Sequence, residues 1–165
     1  MNHPASLSSD TLQAQCTVER TRRSGPGGQH RNKVETAVVL THRPTSVRAE
    51  ASERRSQAAN LAKALFRLRI RLAIQLRTPP GKAPSELWIS RVAGNRIAVN
   101  PEHEDFPALL AEALDVLAAE QWSAPAAAAF LGISSSQLVR LLKLQPEALI
   151  LLNGHRRKLG LPTCR

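Results

Sequence analysis

Cysteine occurs only twice in 165 residues, tyrosine not at all, and aromatic residues make up 3% of the chain. Cys16 and Cys164 stand near opposite ends with no histidine or cysteine at ligand spacing. That gives no support to a disulfide framework or a zinc site and leaves two reduced thiols. So few aromatics argue against single-stranded nucleic acid held by base stacking. No window reaches the eighteen or more uncharged apolar residues of a membrane span. The stretch from Met1 to Gln15 lacks the basic start and apolar centre of a secretory signal. A basic amphipathic anchor with aromatic residues is missing too. The expectation is one ordinary domain, or a small domain with an appendage, in the cytoplasm, without metal, cofactor or membrane, and monomeric.

Acidic residues are scarce where basic ones are dense. Residues 1–100 hold 17 Lys and Arg against 6 Asp and Glu, a net +11, whereas residues 101–165 hold 6 against 7, a net −1. A basic module, residues 1–100 with a core at about 10–77, is thus joined to a near-neutral one, residues 101–165. A field of that sign attracts phosphate backbones and makes binding salt-dependent. Structured RNA, contacted through phosphates and shape, fits better than a stacked single strand.

The pattern along the chain predicts an α+β fold: a small mixed or antiparallel sheet backed by one long helix, then a small helical domain. Ser8-Ser9-Asp10 can cap a short turn, and Gln13 to Arg20 alternates like a strand. Thr36 to Thr41 is a second strand, His42-Arg43-Pro44-Thr45 turns the chain, and Ser46 to Ala51 returns beside it. A long helix opens at Ser52 or Ser56 and runs to about Arg77, with Leu61, Leu65, Leu68, Leu72 and Leu76 as its apolar stripe. Its cations, Lys63, Arg67, Arg71 and Arg77, lie off the stripe, as a solvated face or as an RNA-facing one. Thr78 to Pro84 reads as a stiff linker. Leu87-Trp88-Ile89-Ser90 and Arg96-Ile97-Ala98-Val99 read as a hairpin about Ala93-Gly94-Asn95. Pro101 to Pro107 is an acidic break, after which helices are expected at Leu109–Leu117, Ala126–Leu131, from Ser134 or Ser135 to about Lys143, and from Pro146 to Asn153-Gly154.

Between the first two strands stands Arg23-Ser24-Gly25-Pro26-Gly27-Gly28-Gln29-His30-Arg31-Asn32-Lys33. Three glycines and a proline so close together fit neither helix nor regular strand, so this is expected to be a loop with a rigid base. Arg22, Arg23, His30, Arg31 and Lys33 around it make a tip suited to a polyanionic site.

The loop, then Asn32-Lys33, Thr36-Ala37-Val38, His42-Arg43-Pro44-Thr45, and Arg55-Ser56-Gln57 with Asn60 and Ala64-Leu65, resembles the catalytic domain of class I peptide chain release factors and their small ribosome-rescue relatives. The resemblance covers roughly residues 10 to 77. It implies hydrolysis of the peptidyl-tRNA ester in the peptidyl-transferase centre of the large ribosomal subunit, with Gly27, Gly28 and Gln29 as the catalytic tip. Gln29 would offer its backbone N–H to the developing oxyanion and use its side chain to admit water. Ribosomal RNA and peptidyl-tRNA are then the partners, contacted by Arg22, Arg23, His30, Arg31, Lys33, Arg67 and Arg71. Arg31 departs from the apolar residue usual in the family, and Gln29 is a position the family can methylate. About two dozen residues precede the tip, too few for a codon-reading domain, so codon-independent rescue is expected.

The rest of the chain departs from the basic tail common in small relatives. Ala126 to Ser134 followed by Ser136 to Lys143 has a helix-turn-helix look, with Ser136, Arg140 and Lys143 on one exposed face as candidate nucleic-acid contacts and Leu138, Leu141 and Leu142 inward. A plain helical bundle, a contact for a rescue partner, and a non-catalytic nucleic-acid-binding regulator that uses both halves remain as alternatives.

Overall fold

The computed structural model describes residues 3–21 and 36–165. The described residues divide into two compact units, Leu7–Leu72 and a second made of the N-terminal residues up to Ser6 together with Ala73–Arg165.

In the first unit, Ser8 caps helix α1 (Ser9–Ala14), its hydroxyl accepting from the Thr11 N–H. The helix takes in Gln13 and Ala14, the first two residues of the expected strand, so β1 begins only at Cys16 (Cys16–Thr21). Strands β2 (Ala37–His42) and β3 (Arg48–Ala51) follow, and the sheet is antiparallel in the order β1-β2-β3. The central strand is buried almost throughout, as a strand with neighbours on both sides should be. In β3, Ala49 and Ala51 point inward and Arg48 and Glu50 outward. Helix α2 (Gln57–Gln75) starts at Ser56, whose hydroxyl accepts from the Ala59 N–H. Its buried seam is Asn60, Ala64, Leu65, Leu68 and Leu72, whereas Leu61 and Leu76 are half-buried. The buried seam is therefore shifted from the expected leucine stripe toward Asn60 and Ala64.

The turn between β2 and β3 is locked to the start of β1. Arg43 donates from Nη2 to the Ala14 carbonyl at 2.7 Å and from Nη1 to the Cys16 carbonyl at 2.9 Å. His42, buried, spans Thr45 Oγ1 at 2.7 Å and Gln15 Oε1 at 3.0 Å. The Cys16 thiol donates to the Leu12 carbonyl, and burial pushes it above its ordinary pKa, which makes it inert.

In the second unit the run Leu87 to Ser90 is helical rather than extended: α3 spans Glu86–Arg91. Ser85 supplies the cap, its hydroxyl accepting from the Trp88 N–H, and Glu86 complements the helix start. The helix buries Trp88 completely and lets its indole N–H donate to the Leu131 carbonyl at 2.8 Å. The hairpin survives in shortened form as β4 (Val92–Ala93) and β5 (Arg96–Ile97), turning through Gly94 at φ 60°. Helices α4 (Phe106–Ala119), α5 (Ala124–Phe130), α6 (Ser135–Lys143) and α7 (Pro146–Lys158) complete the unit. Ser123 and Ser134 cap α5 and α6, and Gly132 at φ 68° turns the chain between them.

Helix α4 is buried nearly all round, and Asp115 within it is no exception: its carboxylate accepts from the Thr78 N–H at 3.0 Å and hydroxyl at 2.5 Å and pairs with Arg77 at 3.3 Å. The last helix passes Gly154 and runs four residues further than a glycine stop predicts. Arg156, buried, holds that extra turn by donating to the Trp122 carbonyl at 2.9 Å and the Pro162 carbonyl at 2.7 Å, and His155 stacks on Trp122 with ring centroids 3.9 Å apart. Among the described residues no helix is long and apolar enough to cross a membrane.

Trp88→Ala removes a fully buried indole and strands the Leu131 carbonyl. The expected loss is about 3–5 kcal/mol of unfolding free energy, read from urea unfolding followed by circular dichroism, and Trp88→Phe should fall between it and the parent.

Candidate functional site

The expected catalytic residues Gly27, Gly28 and Gln29, and the flanking Arg22, Arg23, His30, Arg31 and Lys33, lie outside the described residues. What the structure does define is the frame on which that segment is mounted. Strands β1 and β2 pair along their whole length, from Cys16 opposite His42 to Thr21 opposite Ala37. The last described residue before the segment and the first strand residue after it therefore face each other across one ladder.

The returning end is fastened by Asn60. Its carboxamide, fully buried, donates to the Thr36 carbonyl at 2.6 Å and to the Arg54 carbonyl at 2.9 Å, and its Oδ1 accepts from the Arg54 N–H at 2.9 Å. The pattern fixes which end of the amide is which, because a flipped group would set two donors against each other. One side chain thus joins the base of the glycine-rich segment to the turn before α2. Sequence reading placed Asn60 in a motif without assigning it a task. The available signal was its register: Asn60, Ala64, Leu68 and Leu72 follow one another at four-residue steps, so a carboxamide stands on the apolar seam.

Arg67 and Arg71, expected to face RNA, stand one turn apart on α2 and are anchored along β3. Arg67 donates to the Glu50 carbonyl at 2.8 Å and pairs with Glu53, while Arg71 donates to the Arg48 carbonyl. Burial pushes the Glu53 carboxyl up, but the Arg67 guanidinium and the Ser52 and Glu53 N–H groups outweigh it and bring the carboxyl down to about 2. Both arginines remain at the surface, each with part of its guanidinium committed to the fold.

Beside the ladder, an open groove of about 620 Å³ is lined by Gln13, Val18, Arg20, Val38, Gln57, Ala58 and Leu61. An apolar floor under one guanidinium and two amides offers both contact surface and a cation, the pairing a nucleotide needs. Arg20 is two residues before Arg22, so the groove adjoins the expected tip along the chain. In the second unit, Ser136, Arg140 and Lys143 are all exposed on α6, while Leu138, Leu141 and Leu142 are buried, as the helix period predicts.

This frame of an antiparallel sheet, a capped helix and a pinned segment base lies within the stretch that matches a known domain, which runs on through α3. The family model of the RF-1 domain matches residues 7–91, and the chain belongs to that family, whose domain carries the Gly-Gly-Gln motif of class I release factors. Among similar proteins, the chloroplastic peptide chain release factor PrfB1 of Arabidopsis thaliana is 54% identical over 57 residues, 34% of this chain and 12% of that protein. Peptide chain release factor 1 of Acidiphilium cryptum (strain JF-5) is 48% identical over 65 residues, 39% of this chain and 18% of its own length. Peptide chain release factor 1 of Xylella fastidiosa (strain 9a5c) is 46% identical over 70 residues, 42% of this chain and 17% of its own. The chain thus spans less than a fifth of the length of these relatives. No solved structure matches it.

Asn60→Ala would leave the Thr36 and Arg54 groups without partners at a cost of about 1–3 kcal/mol for each buried group, seen as a lowered chemical-unfolding midpoint. Acid should act on the same unit through His42, whose pKa lies below 6.5 because of burial and the neighbouring Arg43. Since the unfolded chain takes up the proton first, stability is complete above about pH 6.5 and falls as pH drops toward the folded value. Melting temperatures measured between pH 7.5 and 5 should decline, and His42→Gln should flatten part of that slope.

Proposed function

We propose that the protein hydrolyses the ester of peptidyl-tRNA in the peptidyl-transferase centre of the ribosome, and that it does so without a stop codon, as a rescue factor for stalled complexes. The observation that carries this reading is Gly27-Gly28-Gln29 set inside an RF-1 domain. The reaction needs water to attack an ester carbonyl whose oxygen gathers negative charge. The Gln29 backbone N–H serves as a preorganised donor to that oxygen, a contribution of about 2.7–4 kcal/mol in other acyl-transfer enzymes. Gly27 and Gly28 allow the main chain to approach the tRNA end, and the Gln29 side chain admits water while excluding larger nucleophiles.

Arg22, Arg23, His30, Arg31 and Lys33 supply the cations that draw the tip to RNA, with Arg67 and Arg71 further back on α2. The pairing of β1 with β2 and the Asn60 hydrogen bonds support the reading physically, because a hydrolytic tip has to be held in place at its base. The helical unit takes the part of a targeting module that brings the tip to ribosomes in the cytoplasm, through RNA or through a rescue partner.

Purified protein should release labelled peptide from ribosomes stalled on mRNA without a stop codon, at a rate that a stop codon in the vacant site does not raise. Gln29→Pro, which removes the backbone N–H, or Gly28→Ala should lower that rate by about 10²-fold or more at unchanged circular dichroism. Undiminished release by both variants would sink the mechanism, and a strict stop-codon requirement would sink rescue.

A further inference from the structure

The near-zero charge of residues 101–165 conceals a segregation that only the folded chain reveals. Three of the seven acidic residues are spent inside the unit: Asp105 pairs with Arg91, Glu112 accepts from the Ser85 N–H at 2.7 Å and hydroxyl at 2.5 Å, and Asp115 is buried against Thr78 and Arg77. No Asp or Glu occurs from Gln121 to Pro146, nor from Val92 to Pro101. Those two acid-free stretches meet in the fold. The carbonyl of Asn95, at the tip of the β4–β5 hairpin, accepts from the N–H of Ser134, the cap of α6, at 3.1 Å. Arg96 follows directly and is exposed, as are Arg140 and Lys143 on α6. None of these three cations makes an ion pair among the described residues.

The arrangement is also rigid. The turn between α5 and α6 is held from one side by the Trp88 indole at the Leu131 carbonyl and from the other by Asn95 at Ser134. Ser134 and Ser136 hydroxyls lie 3.0 Å apart at the start of α6. The exposed set is two guanidiniums, one ammonium and the Ser136 hydroxyl, which suits phosphate and sugar. The Arg140 guanidinium is a planar fork that matches a phosphate bidentately. The first acid after Lys143 along the chain is Glu147, in the first turn of α7, where it complements that helix's own start.

We propose that the exposed face of α6, together with Arg96 of the β4–β5 hairpin, is a second RNA-binding surface that grips the sugar-phosphate backbone of base-paired RNA. The choice of RNA over DNA rests on the ribosomal reading above, whereas the surface itself does not. Binding through backbone contacts predicts low sequence selectivity and a steep dependence on salt.

The test is fluorescence anisotropy of the full chain with a base-paired RNA hairpin and a DNA duplex of equal length, across a salt series. Replacing Arg96, Arg140 and Lys143 together by Gln should lower the slope of log affinity against log salt by about 3, one for each lost phosphate contact, and Arg140→Gln alone by about 1. A triple variant with parental slope and parental melting temperature would overturn the proposal. A loss confined to DNA would overturn RNA as the ligand. Because binding is read without any hydrolysis, failure of peptide release and failure of this surface are separate results.

Discussion

The carboxamide of Asn60 is the constraint on which the functional half depends. It sits where an apolar side chain would satisfy the helix seam, and its whole donor capacity is spent on two carbonyls of different segments. A buried polar group of this kind is costly unless every partner is present. The base of the Gly-Gly-Gln segment and the turn before α2 therefore adopt their positions together. Arg43 and His42 perform the equivalent service at the far end of the sheet, tying the β2–β3 turn to the start of β1.

The two units solve different problems with the same few residue types. In the Leu7–Leu72 unit Arg67 and Arg71 stay at the surface and lean on carbonyls, so that charge is displayed without being buried. In the helical unit Asp115 is paired in the interior, and Arg96, Arg140 and Lys143 stand exposed on two stretches that hold no acid. Net charge over a stretch of sequence records neither arrangement.

Much of this was legible in the residues alone. The helix of leucines, the β-branched central strand, the serine caps and the glycine between α5 and α6 each carry a local signal strong enough to place an element. The signals failed where the deciding partner lies far along the chain. Leu87 to Ser90 is too short a run for periodicity to separate strand from helix, and the choice falls to Trp88 reaching Leu131 and to the Ser85 cap. Gly154 looks like a stop until Arg156 is seen to bind the Trp122 carbonyl, 34 residues away in sequence. The Gly-Gly-Gln motif was recognisable from its residue types, while the residue that fastens the base of its segment could be found only by asking why an asparagine occupies an apolar seam.

Both tryptophans of the chain, Trp88 and Trp122, belong to the helical unit, and tyrosine is absent altogether. The Leu7–Leu72 unit is therefore optically silent in the near ultraviolet apart from phenylalanine. Intrinsic emission reports on the helical unit by itself: Trp88 from a dry interior, Trp122 from beneath an imidazole that burial keeps neutral until acid protonates it. The protein thus carries a built-in pair of probes that follow one unit of the molecule and leave the other dark.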